Sequence, residues 1–349
     1  MAYSSIVKPT DYFNTVLYTG NGSTQSITGV NFQPDWVWIK NRTEDYEHTI
    51  FDSVRGVQKF IRSSTTGAEA TNSNSLTAFG TDGFSIGTES AVNDNSDSFV
   101  SWNWLASNTT ASNSDGSITS TVSANTTAGF SIVTYSGNST AGATVGHGLG
   151  ATPGMIIVKG RDATIDWNVY HHKNTSAPET DYLKLNSTDA TTDSSARWND
   201  TAPTSSVFSL GTQTGVNAGF NYVAYCFAEK KGYSKFGSYE GTGNANGTFV
   251  YTGFKPAWVL LKISSGTTGA WTLFDNKRDP FNEVDNRLFP DSSGVEADGN
   301  DCDFLSNGFK HRTTGSGTNG SGYSYIYMAF AENSFVANDS GTAVPVVAR

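Results

Sequence analysis

The chain has 349 residues and a formal net charge of −10, with 13% aromatic but only 15% charged residues. No cluster of Lys and Arg is present to release counterions from a phosphate backbone, and no apolar run is long enough to cross a bilayer, so nucleic-acid binding and membrane insertion are excluded. Gly, Ser, Thr and Asn fill much of the remainder, a mixture that suits strands joined by frequent turns and suits helices poorly.

The N-terminal segment, residues 1–14, lacks a basic stretch followed by an apolar one, so the expectation is a soluble product of the cytoplasm without a secretion leader. A first module, 15–106, opens on "YTGN" at Tyr18, reaches Pro34 and runs through "WVWIK" to Lys40. It continues with the apolar strand "HTIFD" (48–52), the best helix candidate in the chain, "RGVQKFIRSS", of at most two or three turns, the turn "DGFSIG" (82–87) and the closing strand "FVSWNWLA" (99–106). Residues 107–129 are rich in Ser, Thr and Asn and read as a linker that wanders or runs as an extended edge strand.

The second module, 130–232, repeats the order: "YSGN" at Tyr135, Pro153, "MIIVK" to Lys159, "WNVYH" (167–171), "SVFSLG" (206–211) and "YVAYCFAE" (222–229). The third, 233–335, repeats it again: "YEGTGN" at Tyr239, Pro256, "WVLLK" to Lys262, "WTLFD" (271–275), "NGFK" (307–310) and "YIYMAFAE" (325–332), before a C-terminal tail at 336–349. The three tyrosines stand 117 and 104 residues apart, the prolines follow them by 16, 18 and 17, and each lysine follows its proline by 6. Constant spacing at a domain-sized period defines an internal repeat of about 105–115 residues.

The fold expected is all-β: three tandem antiparallel β-sandwich modules, jelly-roll or lectin-like. Proline at the strand start removes a donor before the ladder begins, and lysine at its exit is expected to snorkel into water. The closing strands alternate, placing Trp102 with Trp104 and Tyr225 with Phe227 on a core face. From Phe84, Phe208 and Phe309 to Trp104, Phe227 and Phe330 is 20, 19 and 21 residues, read as a hairpin. Each module is of a size to fold alone, and residues 130–232 are expected to do so. Cys226 and Cys302 lie far apart, and Cys226 sits in an apolar run as a small core residue, so no disulfide framework is implied.

The polar candidates are few. Asp52 and Arg55 in "FDSVRG" match Asp275 and Arg278 in "FDNKRD", and each pair can lock a turn by charge-assisted hydrogen bonds. The second module has His171 and His172 at this corner, and divergent corners are where binding specificity is expected. Neighbouring strand residues face opposite ways, so the two histidines are not read as sharing a metal. His147, between glycines, reads as a turn histidine bonding backbone. The Asp-rich turns "NDNSD" (93–97) and "DGNDCD" (298–303) offer ligands of the kind calcium takes but follow no EF-hand pattern, and read as turns. Neither a metal nor a cofactor is expected. No nucleophile elbow, phosphate loop, His-Glu-x-x-His or Cys/His couple occurs, and the chain is expected not to be an enzyme. Aromatic, Asn, Ser, Thr and Gly content describes surfaces that bind glycans or protein neighbours.

The set "YTGNGSTQSITGVNFQPDWVWIKNR", "TIFDSVRG", "DGFSIG", "WNWLAS", "GFSIVTYSGN", "VGHGLGATPGMIIVK", "WNVYHH" and "YVAYCFAEKKGYSKFGSYEGTGN" resembles virion structural proteins of tailed phages, best known from marine cyanophages, over residues from about Tyr12 to about Phe335. The "HGLG…P" stretch and closing strand also resemble small lectin-like sandwiches of phage fibres. The third module departs at "KHRTTGSGTNGSGYSYIYM", longer and more Gly-rich than its counterparts. The resemblance implies a location in the virion, as a tail fibre or tip protein binding host-surface glycan, or as a structural or decoration protein binding neighbouring virion subunits. A polysaccharide depolymerase is the less favoured reading. It also implies other virion proteins and further copies of the chain as partners.

Overall fold

The computed structural model describes residue 4, residues 6–299 and 302–334 and, in backbone alone, 336–339 and 342–345. Of the two terminal segments, residues 1–3, 5, 335, 340, 341 and 346–349 lie outside the described residues. The architecture is all-β and antiparallel, in several sheets.

Three large sheets carry the fold. The first orders its strands Phe13–Thr19, Ser98–Trp104, Trp36–Asn41, Thr49–Asp52, Lys59–Arg62 and Ala70–Thr71. The second orders Ala111–Asn113, Ser120–Asn125, Phe130–Ser136, Asn221–Phe227, Met155–Gly160, Asn168–His171, Asp181–Lys184 and Thr192–Asp193. The third orders Ser234–Glu240, Ser324–Ser334, Phe254–Ser265 and Thr272–Asp275. In each, the closing strand lies between the opening strand and the strand that carries the repeated lysine. Trp36, Met155 and Trp258 pair with Trp104, Phe227 and Phe330 on one side and with Asp52, His171 and Asp275 on the other.

The lysine-bearing strands are continuous apolar runs because both faces are covered, as in any sheet sandwiched between layers. Trp36, Trp38, Met155, Ile157, Trp258 and Leu260 point inward to a single core shared by all three large sheets. Their neighbours point outward to separate cores under smaller sheets: Val37 and Ile39 beneath Gln25–Thr28, Gly83–Ile86 and Leu76–Gly80; Ile156 and Val158 beneath Ala143–Gly146 and Val207–Leu210; Val259 and Leu261 beneath Phe249–Tyr251, Gly308–His311 and Cys302–Leu305. Trp104, Phe227 and Phe330 meet in the shared core, with ring centroids 5.6 Å apart for Trp104 and Phe330 and 6.2 Å for Phe227 and Phe330. All eight tryptophans are buried. Residues 130–232 therefore divide their apolar side chains between an outer core of their own and the shared core, where Phe130, Ile132, Met155, Ile157, Tyr225 and Phe227 pack against residues of the other two sheets.

Several expectations are corrected. The helix candidate "RGVQKFIRSS" holds the strand Lys59–Arg62, with Ile61 in the shared core; the α-helices among the described residues are single turns at Ser90–Asn93, Ser195–Trp198, Thr214–Asn217 and Ser316–Asn319. Residues 107–129 take the edge-strand alternative and are no correction: Ala111–Asn113 and Ser120–Asn125 form the edge of the second sheet and pair onward to Phe130–Ser136. The turn aromatic and the closing strand form no hairpin: Gly83–Ile86, Val207–Leu210 and Gly308–His311 belong to the small sheets, and the chain crosses back to the large sheet through a single helical turn. Pro34 and Pro153 precede their strands, whereas Pro256 lies inside Phe254–Ser265 at a register shift.

That crossing explains the "YxGN" motif. Each helical turn ends in a buried asparagine, Asn93, Asn217 or Asn319. Its Oδ1 accepts the backbone N–H of Asn21, Asn138 or Thr242 at 2.9 Å in every case. Its Nδ2 donates to two carbonyls, as in Asn217 to Thr140 and Gly211 at 2.9 and 2.8 Å. The tyrosine hydroxyl of the motif donates to Val92, Val216 or Thr318 at 2.7 Å. The glycine is needed because a Cβ on Gly20, Gly137 or Gly241 would stand 2.0 to 2.2 Å from the carbonyl just beyond that asparagine, at Asp94, Ala218 or Gly320.

Candidate functional site

The corner residues singled out by sequence lie at the seams where one large sheet meets the next. Arg55 Nε donates to Asp52, its backbone N–H bonds Asp52 Oδ1 at 2.8 Å, and its Nη1 reaches Glu69 at 3.2 Å. Arg161 of the second sheet grips the same Glu69 with two bonds of 2.9 Å, and Tyr225 donates its hydroxyl to Asp52 at 2.8 Å. Between the third sheet and the first the arrangement recurs. Arg278 Nε donates to Asp275 at 2.6 Å and Nη1 to Glu296 at 2.9 Å; Arg42 grips Glu296 at 2.9 and 2.6 Å, and Trp102 Nε1 donates to Asp275 at 3.0 Å.

Between the second sheet and the third, neutral groups occupy the same places. His171 stands for the aspartate and Asn174 for the arginine, while Thr191 and Ser264 replace the Glu and Arg of the other seams. The backbone bonds keep the register: Glu69 N–H to Arg161 O at 2.8 Å, Glu296 N–H to Arg42 O at 3.0 Å, and Thr191 N–H to Ser264 O at 3.1 Å. Thr191 Oγ1 donates to Asn174 Oδ1 at 2.7 Å, and His171 Nε2 faces the Tyr327 carbonyl at 3.1 Å. Burial, with His172 and Lys173 nearby, drives the His171 pKa down to about 3, so at neutral pH its ring is uncharged. Burial also opposes the Arg55 charge, but Asp52, Tyr225 and Glu69 more than offset it and hold its pKa above the ordinary value.

Asp52, Arg55, His171, Asp275 and Arg278 are therefore buried between sheets and do not offer themselves to a ligand. The Asp52–Arg55 and Asp275–Arg278 pairs form the expected turn lock and additionally join sheets. The lysines do not snorkel: Lys40, Lys159 and Lys262 are 0% exposed. Their ammonium groups donate to backbone carbonyls, including Thr66 across the first seam at 3.0 Å and Ser187 across the neutral seam at 3.2 Å. Burial pushes all three down to about 8. His147 is buried and bonds backbone, its Nδ1 accepting from Leu149 N–H and its Nε2 facing Thr204 O, both at 3.2 Å. Among the described residues no three His, Cys, Asp or Glu side chains converge on a common point. In "NDNSD", Asp94 accepts from Tyr46 and Asp97 from Asn41; "DGNDCD" lies partly outside the described residues.

His172 alone of the six candidates reaches an open surface. It lines a groove of about 490 Å³ with Lys173, Glu229, Lys235, Phe236, Phe249, Tyr251 and Tyr327, on the outer side of the neutral seam. A second hollow of about 520 Å³ continues past Glu229, Lys235 and Tyr251 to Lys231. Both volumes are in the roughly 300–1,000 Å³ range of ligand sites. His172 Nε2 faces the Phe236 carbonyl at 2.7 Å, and Glu229 accepts the Phe236 N–H at 2.7 Å, so the wall is fixed by its own backbone.

Phe249 and Tyr251 were not legible as site residues. Their strand alternates exposed, buried, exposed around Val250, which sits in the outer core, so both rings stand on the outer face, at 45% and 51% exposure. With Phe281 they are the aromatic side chains among the described residues that face solvent this openly. The signal for them is the period-2 alternation in "TFVYTG".

The architecture is all-β and β-sandwich-like, and the groove beside His172 is lined by aromatic and lysine side chains. Residues 8–334 match the family described as a domain of unknown function (DUF7483), and the chain belongs to that family. No curated protein and no solved structure matches the chain. Among the described residues no helix is long and apolar enough to cross a membrane.

Proposed function

We propose that the chain is a non-enzymatic recognition protein of a tailed-phage virion, carried at the tail and binding host-surface glycan through the groove beside Phe249 and Tyr251. The observation that carries this reading is the contrast in aromatic placement: every tryptophan is spent on the interior, while two adjacent rings are held in solvent over a polar groove. A ring face takes the C–H side of a sugar, and the surrounding Lys, Glu and Ser side chains take its hydroxyls. The finer fold belongs to the same reading: three lectin-like sandwich modules, descended from an internal repeat, closed around a common core as a pseudo-symmetric body made from one chain. Other virion proteins and further copies of the chain are its assembly partners. The virion location is supported by the motif resemblance given above.

The test is a pull-down of tagged, full-length protein against intact host cells, in parallel with phage particles lacking the protein. Attachment to cells that free envelope polysaccharide competes away, and that Tyr251→Ala abolishes, is the expected result. Attachment only to the depleted particles would overturn it and make the groove an interface to a neighbouring virion subunit. Release of sugar from host polysaccharide would make the chain a depolymerase.

A further inference from the structure

We infer that the groove takes an acidic saccharide, one whose sugars carry carboxylates; this rests on the glycan-binding reading and narrows it. The chain as a whole is strongly acidic, yet the two hollows, which share Glu229, Lys235 and Tyr251, set Lys173 and Lys235 against the single carboxylate of Glu229. That carboxylate is already engaged, accepting the Phe236 N–H at 2.7 Å with His172 Nε2 at 3.8 Å. Among the described residues neither Lys173 nor Lys235 has an ion-pair partner. The groove thus holds an excess of positive charge in a protein whose field is otherwise negative, and an anion of the ligand supplies the missing counter-charge.

A second observation lies at the floor. Tyr327 is 3% exposed and lines the groove, with no hydrogen-bond partner for its hydroxyl among the described residues. That hydroxyl lies against Gly237, where a Cβ would come within 2.5 Å of it. Burial, with the Glu229 charge nearby, raises the Tyr327 pKa, which keeps the group a proton donor at any physiological pH. A hydroxyl at the base of the groove, reached from the groove and without a protein partner, is a donor that an acceptor oxygen of the ligand can take. Donor at the floor, cations on the walls and two flat rings at the rim together fit a ring that is apolar on one face and anionic at its edge.

The experiment is calorimetric titration of the full chain with short oligogalacturonate, hyaluronan oligosaccharide and sialyllactose, against neutral malto-oligosaccharide and a poly-glutamate peptide of matched charge. The expected result is binding of at least one acidic saccharide, ten-fold or more tighter than the neutral one. It should weaken at least ten-fold in the double variant Lys173→Gln, Lys235→Gln and about ten-fold in Tyr327→Phe, with unfolding midpoints unchanged for the lysine variant. Equal affinity for the neutral saccharide, unaffected by the lysine variant, overturns the acidic preference while leaving glycan binding in place. Peptide binding equal to that of the saccharides overturns the sugar assignment. No binding to any acidic saccharide overturns the inference, and it overturns the broader reading as well if cell attachment is also absent.

Discussion

Two of the three seams between large sheets are held by chains of buried charge and the third by neutral hydrogen bonds, although the backbone crosses all three in the same register. At the charged seams an arginine is shared between an aspartate and a glutamate, and a second arginine from the neighbouring sheet completes the set. At the neutral seam His171, Asn174, Thr191 and Ser264 take those places. The comparison teaches that the register is set by backbone pairing and by the aromatic core, not by charge. Desolvating an ion network returns little net stability once its partners are in place. What charge adds is intolerance of partial loss, because a remaining buried ion has no water to turn to.

The largest effect is expected from cutting the second sheet free of both seams. A fragment spanning residues 130–232 would expose Phe130, Ile132, Met155, Ile157, Tyr225 and Phe227, all in the shared core. Each fully buried side chain of this kind contributes about 1.5–3 kcal/mol. The fragment is expected to unfold or aggregate, by circular dichroism and gel filtration. A soluble, β-rich monomer would show that the outer core suffices.

Next come single truncations that set the charged seams against the neutral one. Arg55→Ala or Arg278→Ala leaves a buried aspartate without its cation and is expected to cost about 3–5 kcal/mol. Asn174→Ala at the equivalent place removes one hydrogen bond to Thr191 and is expected to cost about 1 kcal/mol. Urea unfolding measures both, and equal losses would erase the distinction between seams.

How much of this was legible follows from the range of each interaction. The apolar strand and Lys spacing, the Asp–Arg turn locks and the inward face of Trp102 and Trp104 are local patterns, and they stand in the structure as the sequence implies, whereas the proline starts its strand in only two of the three repeats. The fate of Lys159 and Lys262 was not legible, because Thr66 and Ser187, the carbonyls that hold them, arrive from a neighbouring repeat. Asn93, Asn217 and Asn319 escaped notice since their flanks differ, "AVNDN", "GVNAG" and "GTNGS", and only their distances of 75, 82 and 80 residues from the motif tyrosines tie them together. Of the groove, the sequence points to His172 and not to the aromatic rim. A ring's exposure depends on what packs over it, which no short window encodes.

The smallest effect concerns acid at the neutral seam. Below the ordinary histidine pKa of about 6.5 the unfolded chain takes up a proton, while folded His171, held down to about 3 by burial, does not. The unfolding free energy therefore falls as pH drops from about 6.5 towards 3, by up to about 1.4 kcal/mol per pH unit for this residue. His311, buried against the rings of Tyr239 and Phe309 and also held at about 3 by burial, adds to the same slope. His171→Gln keeps a donor toward the Tyr327 carbonyl but has nothing to titrate, so it should unfold with one fewer proton taken up across that window. Its stability at pH 8 should change by about 1 kcal/mol or less. An unchanged pH slope would mean that His171 is solvated in the folded state, and that the neutral seam opens more readily than the two charged ones.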